Sequence, residues 1–391
     1  MRILWHSAAP WCPSGYGQQT AQAVRRLVAA GHDVAISSHF GLEGGKLRWE
    51  GVDVYPGDRE LGNRLLPRWI EHVRPELVVT LLDVWAMKPE AFAGAPRVAC
   101  WLPIDHEPLA QPLATFLSAT GATPMAMSRH GERVLADAAL PPLYVPHAID
   151  TAVYRPVPRE EARAALRLPQ EAFLVGMVAA NVDKAPARKA WPEALAAFAR
   201  FRATHPDALL YLHTDLAGAQ GGINLAWLCE RLDLGPEALR GTPPLSYDLG
   251  LEPGHMALLY SAFDVLLSPS YGEGFGLAPL EAQACGTPVI VSDFSAQAEL
   301  CAPTGWRVAG EPFYVNAFRA WWQRPDVDAI ADALEQAYDH DLGFRGRETR
   351  EFALAYDADR VFEEHWQPAL AALEPAKPNR KLRRALAKAG A

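Results

Sequence analysis

Two glutamates eight residues apart, Glu273 and Glu281, bracket the stretch Gly274-Phe275-Gly276-Leu277. Glycines let backbone N–H groups approach a ligand closely, and at the start of a helix such groups face an anion such as phosphate. Carboxylates accept paired hydrogen bonds from vicinal hydroxyls. Phosphate donors beside two glutamates therefore fit a sugar nucleotide, with pyrophosphate, ribose and hexose all engaged. The alternative is a hydrolase pair with Glu273 and Glu281 as acid and nucleophile. Such carboxyls flank one bond at ~5 to 10 Å, whereas an offset of about two helical turns beside a phosphate cradle suits two different sugars. A second polar stretch, Asn181 to Lys189, puts Arg188 and Lys189 just before a helical pattern, where a guanidinium fork and a point charge can clamp a diphosphate. A third, Asp105-His106-Glu107, bunches polar groups after an apolar run.

Each of these stretches needs an element to hold it. Val265-Leu-Leu267 reads as a buried strand, Leu277 to Cys285 as a helix stopped by Gly286-Thr-Pro288, and Val289-Ile-Val291 as the next strand. Earlier in the chain, strands are expected at 2–5, 33–37, 52–55, 77–82 and 98–102, with helices at 18–30 and 65–73 between them. Such alternation predicts an α/β protein with parallel, doubly wound sheets. Ligands in these sheets bind at the carboxyl ends of strands, which places the loop Ser14-Gly15-Tyr16-Gly17 and the Asp105-His106 pair at an active-site edge. The absence of a full GxGxxG disfavours a dehydrogenase-type dinucleotide site. Tyr154-Arg-Pro-Val-Pro158 reads as a linker. A second series follows, with strands at 173–178 and 209–213, a helix at 191–204, and helices at 326–337 and 344–373. His213 ends one of these strands and is expected to border the nucleotide.

With 391 residues, 50% of them hydrophobic, the chain is long enough for two domains with sizeable cores. Residues 2–5 read as a strand rather than a leader peptide, and no run approaches a membrane span, so a cytoplasmic protein is expected. Five scattered cysteines without CxxC pairing indicate neither a disulfide framework nor a zinc site. The strings Asp326-Val-Asp328, Asp339-His-Asp341 and Asp357-Ala-Asp359 read as helix caps rather than metal ligands. A net charge of −9 argues against a wholly basic nucleic-acid binder, although six basic residues and no acidic ones follow Glu374.

The ordered string Glu273-Gly274-Phe275-Gly276, Glu281-Ala282, Ala284-Cys285-Gly286-Thr287-Pro288-Val289 and Glu299 resembles the retaining nucleotide-sugar glycosyltransferases of family 4, which have the GT-B fold. The resemblance implies two Rossmann-like domains facing across a cleft: 1–160 on the acceptor side and 161–345 on the donor side. Helices of 346–375 would return to the first domain, and 376–391 would form a basic tail. It implies transfer of a hexose from a UDP- or GDP-sugar with retention, and neither metal nor other cofactor. Glu281 would bind the ribose and Glu273 the transferred sugar. Lys189 and the backbone of Gly274, Phe275, Gly276 and Leu277 would neutralise the leaving diphosphate. Asp105 and His106 stand where the family commonly presents a histidine to the sugar, and Gly15 and Gly17 where a glycine loop lies near the donor phosphates. The family's earlier cation is replaced near Asn181, with Arg188 or Lys184 as substitutes. Residues 144–150 resemble the crossing into the second domain, with Ala148 in place of the usual glycine.

On the acceptor side, Trp11, Tyr16, Trp85 and Trp101 with the 105–107 cluster suit stacking on a saccharide or glycoconjugate. Two alternatives stand beside this reading. Residues 5–20 are similar to a subgroup often found in phage genomes, which implies hydroxymethylated pyrimidines in DNA as acceptor and the basic tail as a phosphate contact. The other is a non-catalytic sugar-nucleotide binding protein, which donor hydrolysis would separate from an enzyme. The oligomeric state is left open.

Overall fold

The structure, a computed structural model, describes residues 1–374 apart from Arg59, Lys184 and Asp341. The expectations for Lys184 and for the basic tail lie outside the described residues. Eight strands form the first sheet: β1 Arg2–Ala8, β2 Asp33–Phe40, β3 Leu47–Trp49, β4 Val52–Tyr55, β5 Leu77–Leu81, β6 Val98–Leu102, β7 Thr123–Ala126 and β8 Leu143–Tyr144. Their spatial order is β3-β4-β2-β1-β5-β6-β7-β8. The β3–β4 pair is antiparallel and the other pairings are parallel. Strands covered by helices on both faces must be apolar throughout, and β5 and β6 are buried at every position.

The second sheet comprises β9 Leu174–Val178, β10 Leu209–His213, β11 Leu239–Gly241, β12 Val265–Ser268, β13 Val289–Ser292 and β14 Trp306–Val308, in the order β11-β10-β9-β12-β13-β14, all parallel. In each sheet the chain winds outward to one side and then returns to wind to the other. The order reverses between β1 and β5 in the first sheet and between β9 and β12 in the second. Loops leaving the carboxyl ends of strands at such a reversal cannot close over one another, so a crevice opens there.

Three departures from the sequence reading bear on the site. The first helix starts at Gly15, because Ser14 caps it by accepting the Gly17 N–H at 3.2 Å. Gly17 therefore lies in a helical turn; a Cβ there would stand 2.3 Å from the Cys12 carbonyl oxygen, so its glycine serves packing. An antiparallel hairpin, β15 Gly310–Val315 and β16 Ala320–Pro325, follows β14 and was not anticipated. Its β16 pairs by backbone with the first domain, Glu107 N–H donating to the Trp321 carbonyl at 3.1 Å and Trp321 N–H to the Glu107 carbonyl at 2.8 Å. Finally, the helix expected over 344–373 is interrupted: Leu342–Ala353 ends, and Asp357 caps a new start by accepting from Asp359 and Arg360 N–H. The last turns then pack on the first sheet, with Trp366 5.6 Å from Trp5 and 4.9 Å from Trp101 between ring centroids. Asp326 likewise caps its helix, accepting from Ala329 N–H.

Candidate active site

The loops leaving β1, β5, β6, β9 and β12 line a cleft of about 1100 Å³ between the two sheets. From the second domain come Arg188 and Lys189 after β9 and Glu273 after β12. Lys189 Nζ donates to Glu273 Oε1, and Arg188 Nη1 donates to Glu273 Oε2 at 3.2 Å. Burial would raise the Glu273 carboxyl, yet the charges of Lys189 and Arg188 hold it down at about 2. Burial, joined by the charge of Arg188, lowers the Lys189 ammonium despite the opposing pull of Glu273. The Glu273 backbone is fixed by its N–H donating to Ser295 Oγ at 2.9 Å. From the first domain, Asp105 after β6 stands 4.0 Å from Arg188 Nη1, so the guanidinium faces carboxylates of both domains.

The glycines divide by role. A Cβ on Gly274 would lie 2.6 Å from Pro103 Cα, and one on Gly272 2.2 Å from the Asp105 carbonyl oxygen. These two let the second-domain loop press against the first domain. Gly276, at φ +121°, would bring a Cβ into ordinary contact only, 3.7 Å from Leu300 Cδ1, so it is its backbone conformation that favours glycine as it ends the loop ahead of the helix Leu277–Ala284. Gly15 lines the cleft, with its Cβ position 3.1 Å from Leu277 of the opposite domain, and Phe275 and Leu277 line it as well.

Several expected site residues lie elsewhere. Glu281 does not line the cleft; it turns to the far side of its helix, where Tyr260 Oη donates to Oε2 at 2.8 Å. Burial pushes its carboxyl up to about 7, against the pull of the Tyr260 and Tyr154 hydroxyls. Asn181 is buried and spent on structure: its Nδ2 donates to the carbonyls of Asp215 and Ile223, both at 2.8 Å, and its Oδ1 accepts from Ile223 N–H. It ties the loop after β10 to the end of β9. His213 pairs with Thr242 Oγ1 at 2.7 Å, packs on Tyr247 and stays outside the cleft lining.

His106 is close to the chemistry without facing it. Its Nε2 accepts the Ala110 N–H at 3.1 Å, which leaves Nδ1–H to donate to Asp105 Oδ1 at 2.7 Å. Both nitrogens are engaged, so His106 orients Asp105. Burial would raise the Asp105 carboxyl, but His106 and Arg188 hold it below the usual range.

The histidine that does line the cleft is His147, in the crossing segment. It is buried between Trp101 and Phe275, burial pushes its imidazole down to about 3, and Nδ1 has no hydrogen-bond partner among the described residues. Gln19 sets its position by clamping Ala148, accepting from its N–H at 3.0 Å and donating to its carbonyl at 2.6 Å. The Pro-His spacing was visible in the sequence; the clamp joins residues 129 apart and was not. Glu299 acts similarly across the domains, accepting from Arg129 and His130 N–H at 2.7 and 2.9 Å and so capping a first-domain helix. Asp83 after β5 also faces the cleft, taking a 3.4 Å hydrogen bond from Tyr16 Oη; partial desolvation and the charge of Asp105 raise its pKa. No group of three or more metal-ligating side chains occurs among the described residues, nor does a helix long and apolar enough to cross a membrane.

Residues 249–348, which include Glu273 and the helix behind it, match the family model of glycosyl transferases group 1. Curated relatives include a D-inositol 3-phosphate glycosyltransferase of Acidothermus cellulolyticus, 32% identical over 158 residues (38% of this chain and 32% of the relative), and one of Stackebrandtia nassauensis, 36% identical over 152 residues with the same shares. The chain thus spans about a third of the length of these relatives. Sucrose-phosphate synthase from Thermosynechococcus elongatus superposes with a TM-score of 0.72 at 18% identity, covering 95% of this chain and 100% of that one. HepE of Anabaena in complex with UDP-glucose does so at 0.69 and 15% identity, with the same coverage. At these identities the superpositions speak for the fold, and the family model speaks for the motif region. Residues 249–348 are thus similar to the group 1 glycosyltransferases, and the chain is built on the GT-B fold.

Proposed function

We propose that the chain transfers a hexose from a UDP- or GDP-sugar to a hydroxyl of a saccharide or glycoconjugate, with retention at the anomeric carbon. The observation that carries this is the convergence of Arg188 and Lys189 on Glu273 at the loop preceding the helix Leu277–Ala284, inside the interdomain cleft. Two cations and a helix N-terminus suit a diphosphate, and a carboxylate between them suits the hydroxyls of the sugar attached to it. When a donor enters, Lys189 and Arg188 turn part of their charge from Glu273 to the phosphates, and Glu273 accepts hydroxyl hydrogen bonds in exchange.

The bond from the anomeric carbon to the β-phosphate oxygen breaks, and the acceptor oxygen bonds to that carbon on the same face. The acceptor proton leaves on the departing diphosphate. Charge grows on the phosphate oxygens as the bond breaks, so fixed cations in a poorly hydrated cleft stabilise the transition state more than the ground state. With this charge supplied by side chains, the reaction is expected to run without a metal ion. His106 holds Asp105 in place, and neutral His147 offers a ring nitrogen at the cleft wall.

A thermal-shift screen of nucleotide sugars tests the donor, and NMR of the anomeric product tests retention. Inversion would refute the stereochemistry, and the absence of any stabilising nucleotide sugar would refute the transferase reading. Nucleotide-sugar binding without hydrolysis or transfer would favour a silent binding protein. The relatives are named for D-inositol 3-phosphate, while the tail on which a DNA acceptor would lean lies outside the described residues.

A further inference from the structure

The two halves of the cleft differ in charge. Its cations among the described residues, Arg188 and Lys189, belong to the second domain and already face Glu273. The part contributed by residues 1–150 has two carboxylates, Asp83 and Asp105, and no lysine or arginine among the described residues. Beside Asp83 stands Trp85, 43% exposed, whose indole meets Phe318 at the tip of the β15–β16 hairpin edge to face at 5.6 Å. Phe318 also stacks on His106 at 5.2 Å, and Trp322 of the same hairpin lines the cleft. The hairpin thereby carries second-domain aromatics onto the acceptor side.

We propose that this half binds an uncharged, hydroxyl-bearing ring: a saccharide or polyol ring that carries no phosphate where it enters the cleft. Its apolar face would lie against Trp85 and Phe318, and a hydroxyl would donate to Asp83. The proposal rests on the transferase reading above. A phosphate monoester entering between Asp83 and Asp105 meets two carboxylates at short range, while Arg188 beside them is already held by Glu273 and Arg319 lines a neighbouring hollow with Trp85 outside the cleft lining; a DNA strand, with a phosphate on each side of every base, meets the same repulsion. An uncharged ring loses nothing to these carboxylates and gains hydrogen bonds from them. C–H faces of a sugar pack on an exposed indole, whose apolar body needs covering and whose position the hairpin fixes. The acceptor side is thus unlike what a phosphorylated inositol, named for the curated relatives, would need.

The full chain is given UDP- and GDP-sugars together with matched acceptors: free myo-inositol and methyl glycosides, their monophosphate esters, and duplex DNA bearing hydroxymethylated pyrimidines. Donor binding is read by thermal shift in the absence of acceptor, and transfer by product mass and kcat/KM. The uncharged ring is expected to exceed its phosphate ester by about tenfold or more, and Asp83→Lys to shift that ratio toward the ester by about tenfold. A wild-type preference for the ester or for DNA overturns the proposal. So does an Asp83→Lys variant that lowers both acceptors alike, since that is what a merely structural role would produce. Donor binding with no transfer to any uncharged ring overturns it as well. If no nucleotide sugar binds, it is the transferase reading that fails, and the acceptor proposal falls with it.

Discussion

The loop in front of the helix Leu277–Ala284 and the far face of that helix carry the same side chain, and the two surroundings drive it in opposite directions. Glu273, between Lys189 and Arg188, is held at about 2, while Glu281, against Tyr260 and away from any cation, is pushed up to about 7. Burial acts on both in the same sense, so the difference is the presence of counter-charge. The pH consequences are opposite too. Glu273, lowered from 4.5, contributes stability that is present above pH 4.5 and lost as pH falls toward 2. Glu281, raised from 4.5, contributes stability that is present below pH 4.5 and lost as pH rises through about 7. A carboxylate kept charged by two cations is equipped to exchange partners with a ligand; one being pushed toward neutrality behind a helix is equipped to pack.

Three experiments bear on this contrast. The largest effect is expected for Lys189→Ala, which should lower kcat by about 10²- to 10³-fold in a nucleotide-release assay while changing donor KM much less. A raised KM with intact kcat would instead make Lys189 a ground-state contact and weaken the distinction. Next, Glu281→Gln should stabilise the fold by about 1–3 kcal/mol at pH 8 and by close to nothing at pH 4, followed by denaturation at both pH values. A loss of donor affinity with no pH-dependent gain would return Glu281 to the ribose and collapse the contrast. The smallest effect is expected on the acceptor side, where Phe318→Ala should raise acceptor KM about three- to tenfold through loss of an aromatic contact. An equal rise in donor KM would mean that the hairpin supports the whole cleft rather than its acceptor half.

Much of this architecture is legible in the chain. β5, β6, β12 and β13 are short apolar runs bounded by polar or turn residues, which parallel strands covered on both faces require. The doubly wound order then puts the residues that follow these strands at one crevice, which is why the chain alone points to Asp105, Arg188, Lys189 and Glu273 as cleft residues, and all four line the cleft. For Glu281, helical spacing gives its offset along the axis, while the face it presents depends on where Tyr260 packs. For His106, which ring nitrogen is engaged depends on the Ala110 N–H four residues on.

The hairpin of β15 and β16 escaped for a different reason. Its strands are half exposed, so their apolar residues alternate weakly, and the aromatics at 313–314 and 321–322 gain meaning only against the first domain. The chain alone therefore determined what local pattern and strand order can encode: the sheets, the glycine loop and the cations placed at strand ends. The tertiary structure decided what depends on contacts between distant segments. It paired Glu273 with Lys189 across 84 residues, turned Glu281 to Tyr260, brought His147 into the cleft through Gln19, and carried Phe318 to Trp85. The physical reason is that burial and counter-charge set a side chain's protonation and partners, and both are supplied by segments that the sequence does not place side by side.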